Sequence, residues 1–363
     1  MAAFRCPPER LLRPLARAAT ARTSQPLMPA LCRTSTRMYR AAVCKELGKP
    51  LVVEDFPVVQ KLRDSQVRVA VHSCGINFAD ILMCMGKYQE KPELPFVPGS
   101  EIAGEVIDIG DNVTMVTKGD HVLGVTSLGG WSKEVTVQQE ALWKIPSSLS
   151  FDKAAALPVS YGTAYVGLTR KANVKPGQTV LVTAAAGALG LATVDIAVNA
   201  LGAKAIGAAS ADKLTIVGNF GAMATIDYRT ESIKDKVKKL TGGRGANVIL
   251  DAVGGDVFKE CLKCIAWDGT IIPAGFASGN IPQIPANILL VKNCNVAGLY
   301  WGAHSKFNPS VFRDSVDKAL ELCSQGKLKG PHVSATFNMD KVNEAIQFLL
   351  QKKSTGKVVI KIR

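Results

Sequence analysis

Two patterns of hydrophobic and polar positions follow one another along the chain after its first forty residues. From residue 38 to about 158, short apolar runs are separated by Gly and Pro, for example at 66–71, 102–109 and 121–125. Runs of this length, rich in β-branched residues and bounded by turn residues, are typical of strands. This part of the chain is therefore predicted to be rich in β-structure.

From about residue 159 to 302, strand-like runs alternate with helical stretches. Six runs are strand candidates: 179–183, 204–208, 224–227, 248–251, 270–274 and 295–300. Such alternation predicts an α/β fold with a doubly wound parallel sheet. After residue 302 the pattern predicts a helix over 309–324, a short strand, a helix over 340–352 and a closing strand over 357–362. We therefore expect a dinucleotide-binding domain (159–302) inserted into a β-rich domain (39–158 and 303–363).

The first forty residues differ from the rest in charge. They hold eight arginines against one acid, which is +7, out of a net charge of +14 for the 363 residues. Apolar residues at 11, 12, 15 and 19 fall on one helical face, and arginines at 10, 13 and 17 lie elsewhere on the turn. This acid-poor, amphipathic character predicts a mitochondrial transit peptide over 1–38, cleaved between 33 and 40, for import into the matrix. A disordered basic tail is the alternative.

Composition excludes several classes of protein. Half of the excess charge lies in the amino-terminal segment, so a nucleic-acid-binding face on the folded body is not implied. No uncharged apolar stretch reaches about 18 residues, so a membrane-spanning helix is not expected. The nine cysteines are irregularly spaced, which favours a reducing compartment over a disulfide framework.

A glycine-containing turn follows the first strand of the alternating region. The strand TVLVT is followed by AAAGALG and then by an apolar helical stretch. This is a dinucleotide fingerprint of the form A-x-G-x-x-G, with Ala185 in place of the first glycine, then Gly187 and Gly190. Gly187 would let the backbone approach a pyrophosphate, and Gly190 would let the helix pack closely on the strand. The helix amino terminus would supply free N–H groups to the phosphates.

The residues at the ends of the next two strands indicate which dinucleotide binds. An NAD enzyme places an acid about twenty residues after the last glycine to bind the ribose hydroxyls. Here the second strand ends at Ser210, Lys213 follows, and Tyr228 ends the third strand. A cation and two hydroxyl groups suit a 2′-phosphate, which predicts NADPH as the cofactor. Asp212 is discordant, and a solvated lysine at a helix start is the alternative interpretation of Lys213.

Several longer segments resemble a known family. Residues 74–104 read CGINFADILMCMGKYQEKPELPFVPGSEIAG, residues 158–165 read PVSYGTAY, and residues 211–229 read ADKLTIVGNFGAMATIDYR. With the glycine turn, they resemble the zinc-free quinone oxidoreductase (zeta-crystallin-like) branch of the medium-chain dehydrogenases/reductases, over residues 39–363. The resemblance implies a GroES-like catalytic domain, a Rossmann domain, an active site in the cleft between them, and usually a homodimer.

The same resemblance carries an expectation about metal. In the alcohol dehydrogenases of this superfamily, a Cys and a His bind the catalytic zinc where this chain has Asn77 and Ser100, neither of which is a good zinc ligand. The four-cysteine structural zinc loop is absent as well. Cys261 and Cys264 form a C-x-x-C in a predicted helix with no second pair nearby, so buried apolar packing is their default role. We expect a metal-free enzyme.

Two side chains are candidates for the chemistry. Without a metal, a nicotinamide enzyme is best suited to hydride delivery to a quinone or an activated double bond, with protein donors stabilising the charge on oxygen. The Asn77 amide can donate a hydrogen bond, and the Tyr88 phenol can donate one or protonate an enolate. Enoyl-thioester reductases of the superfamily carry a catalytic tyrosine in the matching G-x-Y position. The alternatives are a turn-forming role for Asn77 and simple packing at the cleft rim for Tyr88.

The resemblance also implies residues that line the cofactor. These are Thr163, Val253, Gly275, Phe276, Ala277, Leu299, Tyr300 and, near the 2′-phosphate, Lys352. The leading hypothesis is an NADPH-dependent reductase of a small electrophilic acceptor, a quinone or an α,β-unsaturated carbonyl. A mitochondrial 2-enoyl-thioester reductase and a non-catalytic, crystallin-like NADPH-binding protein are the alternatives. The residues leave the physiological acceptor open.

Overall fold

The part of the chain before residue 158 is built from short strands, as predicted. The computed structural model describes residues 37–58 and 61–363, so most of the predicted leader lies outside the described residues. The elements of this part are β1 (Met38–Val43), β2 (Val52–Pro57), β3 (Gln66–Gly75), α1 (Phe78–Cys84), β4 (Glu101–Ile109), β5 (His121–Val125), β6 (Glu134–Gln138), β7 (Leu142–Lys144), α2 (Phe151–Ala154) and α3 (Pro158–Val166).

The alternating region forms the predicted doubly wound sheet. Its elements are β8 (Thr179–Val182), α4 (Ala188–Asp195), β9 (Lys204–Ala209), α5 (Leu214–Asn219), β10 (Ala224–Asp227), α6 (Ile233–Leu240), β11 (Ala246–Asp251), α7 (Gly255–Cys264), β12 (Ile265–Pro273), α8 (Ala286–Lys292) and β13 (Asn295–Val296). The six strands are parallel, in the order β10-β9-β8-β11-β12-β13. The order reverses beside β8, and the crevice at such a reversal is where open α/β sheets bind ligands.

The carboxyl-terminal part completes the β-rich sheet. Its elements are α9 (His304–Phe307), α10 (Pro309–Ser324), β14 (Val333–Asn338), α11 (Val342–Leu350) and β15 (Lys357–Lys361). Strand β15 pairs antiparallel with β3, and the seven-stranded sheet has the order β14-β15-β3-β4-β5-β7 with β6 also on β3. The predicted fold class, a GroES-like β-rich part plus a parallel dinucleotide-binding sheet, is therefore confirmed.

Apolar clusters fill both parts, and one of them joins the two, since it contains Trp143 as well as Val180. One lies inside the β-rich sheet and includes Val69, Ile102 and Ile360, while two others pack on the parallel sheet. Helix α10 packs against α3 and contributes Phe312 and Val316 to a cluster on the parallel sheet. Residues after 302 thus also contribute to the core of the dinucleotide-binding part. The predicted domain boundaries at 158/159 and 302/303 stay predictions.

The sixth strand is shorter than the prediction. The apolar run at 295–300 predicts a strand of six residues, but β13 ends at Val296. The run then leaves the sheet because the next residue has its partners elsewhere: Trp301 is buried, packs in a tilted arrangement against Phe312 (ring centroids 4.7 Å apart) and donates from Nε1 to Ser315 Oγ (2.9 Å). This departure carries Leu299 and Tyr300 into the cleft between the two parts.

Candidate active site

A cleft of about 1470 Å³ lies between the β-rich part and the parallel sheet. Its walls combine the turn after β8 with residues that follow β11, β12 and β13 and with residues of α1 and β15. Among the residues predicted from sequence, those that line it are Asn77, Tyr88, Thr163, Gly187, Gly190, Gly275, Phe276, Ala277, Leu299 and Tyr300. Ala252 lines the cleft whereas its neighbour Val253 is not among the lining residues.

The turn after β8 presents a helix start to the cleft. Gly187 precedes α4, and the amide of Leu191 is the one that bonds back to its carbonyl. The N–H groups of the first turn therefore have no acceptor within the helix and face the cleft with Ala188 and Leu189. This set of donors and the positive end of the helix fit a pyrophosphate.

The glycines and the alanine of this turn have different roles. A Cβ at Gly190 would lie 2.6 Å from Ala185 Cα and closer still to the carbonyl oxygen of Ala184, so only glycine allows the helix to pack on the turn. Ala185 itself is fully buried and donates its amide to Ala208 in β9. The predicted packing role of Gly190 thus has a steric reason, and Ala185 acts from the core rather than from the cleft surface.

Four residues predicted for the ribose end come together where β9, β10 and the chain after α11 meet. Ser210 follows β9 and hydrogen-bonds the carboxylate of Asp212, and this bond lowers the pKa of Asp212. Lys213 donates from Nζ to the carbonyl oxygens of Lys352 and Ser354, the latter at 2.9 Å. Tyr228 follows β10, donates its amide to Ala209, and is 39% exposed.

One cation at this end is missed by the sequence argument. The charges of Arg229 and Lys352 add to burial in lowering the pKa of Lys213, and the charges of Lys213 and Arg229 help to lower the pKa of Asp212. Three cations and one carboxylate thus share the ribose end. Arg229 directly follows Tyr228 in the run IDYR, and this position next to a predicted ribose-end residue is the signal that could have identified it.

Asn77 lies in a buried polar network. Its Nδ2 is 2.9 Å from Glu101 Oε1 and 3.4 Å from Ser100 Oγ, and its Oδ1 accepts from Lys357 Nζ at 2.8 Å. Lys357 Nζ also contacts Glu101 Oε1 at 2.5 Å, and both side chains are almost fully buried. Both amide hydrogens of Asn77 are therefore directed at protein oxygens, and an acceptor would have to replace one of them.

Glu101 and Lys357 are functional candidates that the sequence argument missed. Glu101 Oε2 accepts from the amide of Val159, so the carboxylate joins β4, β15 and the start of α3. Lys357 lines the cleft at the first residue of β15. The motif P-G-S-E contains Glu101, but no local signal pairs it with a lysine so far along the chain.

Asp80 is a buried carboxyl beside this network. Burial raises its pKa to about 7, while hydrogen bonds from the amide of Asn77 (2.8 Å) and from the Ser100 hydroxyl act in the opposite direction. The group therefore changes charge near neutral pH. Cys74, also buried nearby, has a pKa raised well above its usual value, chiefly by burial.

Tyr88 lines the same cleft. It is partly buried and hydrogen-bonds Tyr300, whose hydroxyl donates to Glu90 Oε1 at 2.6 Å. Burial is the largest cause of the raised pKa of both tyrosines. Both phenols therefore stay protonated at neutral pH and can act as hydrogen-bond donors.

Comparisons with known proteins agree with this geometry. Residues 63–147 match the family model of the alcohol dehydrogenase GroES-like domain, and residues 188–321 match that of the zinc-binding dehydrogenases. The quinone oxidoreductase-like protein 2 homolog of Nematostella vectensis is 68% identical over 361 residues, which cover 99% of each chain.

The chain belongs to the medium-chain dehydrogenases/reductases, in the group of quinone oxidoreductase-like proteins.

Two solved quinone oxidoreductases have the same fold. The protein of Pseudomonas syringae has a TM-score of 0.83 and 30% identity, covering 90% of this chain and 100% of its own. The protein of Thermus thermophilus, solved also in complex with NADPH, has a TM-score of 0.78 and 31% identity, covering 89% and 100%. The fold of this medium-chain reductase is thus one that binds a nicotinamide cofactor.

The described residues also bear on metals and membranes. Within 37–58 and 61–363, no three His, Cys, Asp or Glu side chains come together as a metal site. Asn77 and Ser100 occupy the positions of the superfamily's zinc ligands. Here Asn77 Nδ2 donates to Ser100 Oγ (3.4 Å), and the Ser100 hydroxyl hydrogen-bonds Asp80. In the same part of this medium-chain reductase, every helix is too short or too polar to cross a membrane.

Proposed function

We propose that the protein is an NADPH-dependent oxidoreductase that reduces a quinone or an α,β-unsaturated carbonyl without a metal. One observation carries the proposal: the open first turn of α4 and the hydroxyl of Tyr88 line a single cleft. Bound there, the cofactor supplies a hydride to the acceptor. The protein's part is to orient the acceptor, exclude water and donate a hydrogen bond or proton where negative charge develops.

The ribose end supports NADPH over NADH. Lys213, Arg229 and Lys352 are grouped there, and Tyr228 adds a hydroxyl donor. Asp212 is held by Ser210 and by the neighbouring cations, which reduces its repulsion of a phosphate. Charge-assisted hydrogen bonds of this kind favour a 2′-phosphate over a bare hydroxyl.

A steady-state screen tests the activity. The purified protein is assayed with NADPH and with NADH against a quinone, a short enone and a crotonyl thioester. We expect turnover of the quinone and the enone with NADPH, and much less with NADH. Elemental analysis of the same sample should find no stoichiometric zinc, and chelators should leave the rate unchanged. Tight NADPH binding without turnover of any acceptor would instead support the non-catalytic binding protein.

A 2-enoyl-thioester reductase is the second candidate, and the length of the cleft favours it. The same cleft is also lined by Gln66 and Gln138, at the paired ends of β3 and β6, and by Ser310 at the start of α10. An extended acyl chain would fit such a groove. If kcat/KM rises steeply from crotonyl to longer enoyl thioesters while quinones remain poor, this candidate replaces the first.

We also propose a homodimer, as the family resemblance implies. Strand β13 is the edge of the parallel sheet, and beside it Ile281, Leu290 and Val291 are between 65% and 79% exposed. An edge strand next to apolar side chains is the kind of surface that pairs with a second copy. Sedimentation equilibrium should give twice the chain mass, and Leu290→Glu should shift the protein to monomer.

We propose that residues 1–38 direct the protein to mitochondria. Strand β1 begins at Met38, and the Arg37 guanidinium bonds the buried carboxylate of Glu134. A protein that starts at Arg37 should therefore fold with full stability but remain in the cytosol. A protein that starts at Tyr39 should fold too, yet lose about 1 kcal/mol, because Arg68 remains near Glu134. Import of either shortened protein would contradict the transit-peptide hypothesis.

A further inference from the structure

A chain of three oxygen-bearing side chains runs from the cleft to solvent. Tyr88 is partly buried in the cleft wall, Tyr300 is 50% exposed, and Glu90 is exposed. All three line the same cleft, and the two hydrogen bonds that join them link the β-rich part to the segment after β13. Tyr88 is thus the least exposed of the three side chains.

The chemistry of the three groups fixes the direction of the hydrogen bonds. A carboxylate only accepts, so Tyr300 must donate its single hydroxyl hydrogen to Glu90 (2.6 Å). The Tyr300 oxygen is then free to accept from Tyr88. At rest, each hydroxyl therefore points towards solvent, and the terminal carboxylate is the group that can take up a proton from water.

We propose that Glu90 and Tyr300 form a relay that returns a proton to Tyr88 after each reduction of an enone or enoyl substrate. This inference rests on the proposed function. When hydride has added to the β-carbon, the enolate takes the hydroxyl proton of Tyr88. Tyr88 regains a proton from Tyr300, and Tyr300 regains one through Glu90, whose carboxylate takes a proton from water and leaves hydroxide in the solvent. The acceptor gains one hydride and one proton, and the nicotinamide is oxidised.

A relay is needed because Tyr88 faces a cleft that acceptor and cofactor fill. Once its proton has gone to the acceptor, bulk water can no longer reach it from that side. The phenols of Tyr88 and Tyr300 hold their protons tightly at neutral pH, because burial and neighbouring groups raise both pKa values. Direct ionisation is thus unfavourable, and transfer along existing hydrogen bonds avoids it.

Glu90 and Tyr300 act through Tyr88 and are therefore positioning residues. Tyr300→Phe keeps the ring and removes the central oxygen, and Glu90→Gln keeps an acceptor oxygen but cannot carry the proton. Glu93→Gln, at a nearby exposed acid outside the cleft, is the matched control. For a short enone with NADPH, kcat should fall at least about tenfold in Tyr300→Phe and Glu90→Gln, the low end of general acid–base effects.

Three further readouts separate a relay from a merely structural bridge. The solvent deuterium isotope effect on kcat should rise in both variants, imidazolium should restore part of the lost rate, and quinone reduction should change less than about twofold. Glu93→Gln should match the wild type throughout. Equal losses for enone and quinone, with an unchanged isotope effect and no rescue, would overturn the relay and indicate a bridge that only holds the cleft closed.

A measurement without turnover keeps the relay testable if the proposed function fails. In the cofactor-free protein, a double-mutant cycle of Tyr300→Phe and Glu90→Gln on the urea unfolding midpoint reports whether the two groups interact. We expect clearly non-additive shifts, since Tyr300→Phe removes the hydrogen bond and Glu90→Gln replaces its charged acceptor with a neutral one, so both variants act on the same contact. Additive shifts would show that the two groups do not interact and would overturn the relay for any acceptor. Non-additive shifts in a protein that turns over no acceptor would contradict the proposed function but not the interaction between the two groups.

Discussion

The proposed ribose end, whose predicted residues are not among those that line the cleft, and the acceptor end inside the cleft are built in different ways. At the ribose end, Ser210 and Tyr228 come directly after neighbouring parallel strands, so the sheet itself brings them together. At the acceptor end, Asn77 depends on Lys357, which lies 280 residues further along the chain, and Tyr300 reaches Glu90 across 210 residues.

The charges differ as well. The ribose end is partly exposed and collects cations around a single acid, which suits an anionic ligand from solvent. The acceptor end buries a lysine against a glutamate and keeps Asp80 beside them with a raised pKa. The comparison teaches that the proposed cofactor selectivity would rest on surface charge, whereas the proposed acceptor end rests on buried pairs whose loss affects the fold.

The largest expected effect is therefore a loss of stability at the acceptor end. Lys357→Met leaves the carboxylate of Glu101 buried without its cation, which typically costs about 3–5 kcal/mol. Urea unfolding should show this loss in the single variant and a large recovery in Lys357→Met combined with Glu101→Gln. Lys118→Met, which breaks the exposed pair with Asp108, is the control and should cost less than about 1 kcal/mol. Equal costs for both lysines would remove the distinction between the two kinds of pair.

The pH dependence of stability sharpens the same distinction. Because burial raises the pKa of Asp80 from 3.8 to about 7, the folded protein binds this proton more tightly than the unfolded chain. The contribution of Asp80 to stability is then greatest at low pH and falls as the pH rises from about 4 to about 7. At about 1.4 kcal/mol per unit of pKa, the fall is at most about 4 kcal/mol.

Asp80→Asn removes this titration and keeps an oxygen that can accept from the amide of Asn77. The variant should gain stability relative to the wild type between pH 4 and pH 7, with a constant difference above pH 8. Asp111→Asn, at an exposed acid, should follow the wild type. A difference that shrinks as the pH rises would mean that Asp80 is stabilised as a carboxylate instead.

Tyr88→Phe tests the acceptor end through catalysis. Losing one donor to a developing oxyanion or one general acid should lower kcat for an enoyl substrate at least about tenfold, with NADPH affinity unchanged. Quinone reduction, which needs less help from a proton donor, should fall less. If Tyr88→Phe is neutral for every acceptor while Asn77→Ala is damaging, Tyr88 only packs, and the enoyl-thioester candidate loses its main support.

The sequence predicts the fold because the fold follows from local patterns. The proximity of the residues named for the ribose end follows from the same patterns, and their role in binding stays a prediction. Alternating apolar runs specify the parallel sheet, and strand-end positions in such a sheet share one edge, which places Ser210, Lys213 and Tyr228 together. Gly190 follows from the spacing of the turn. Lys352 was predicted from the family resemblance, and only the structure shows that its carbonyl oxygen accepts a hydrogen bond from Lys213.

The acceptor end is less predictable because its partners are distant in sequence. Asn77 and Tyr88 could be named from short motifs, but nothing local pairs Glu101 with Lys357. The shortened sixth strand has the same cause: an apolar run predicts a strand, whereas burial of Trp301 against Phe312 draws the chain out of the sheet. Tertiary packing determines these positions. The pattern of apolar residues along the chain carries no information about contacts between distant residues.

Dissociation constants for NADPH and NADH, measured for the wild type and for Lys213→Ala, test the central claim most directly. A charge-assisted hydrogen bond to the 2′-phosphate contributes about 1.5–3 kcal/mol. Lys213→Ala should therefore weaken NADPH binding by roughly ten- to a hundredfold and leave NADH binding almost unchanged. The hydrogen bonds from Lys213 to the carbonyls of Lys352 and Ser354 are lost with either cofactor, so they cannot produce selectivity. Equal losses for the two cofactors would contradict the assignment of NADPH.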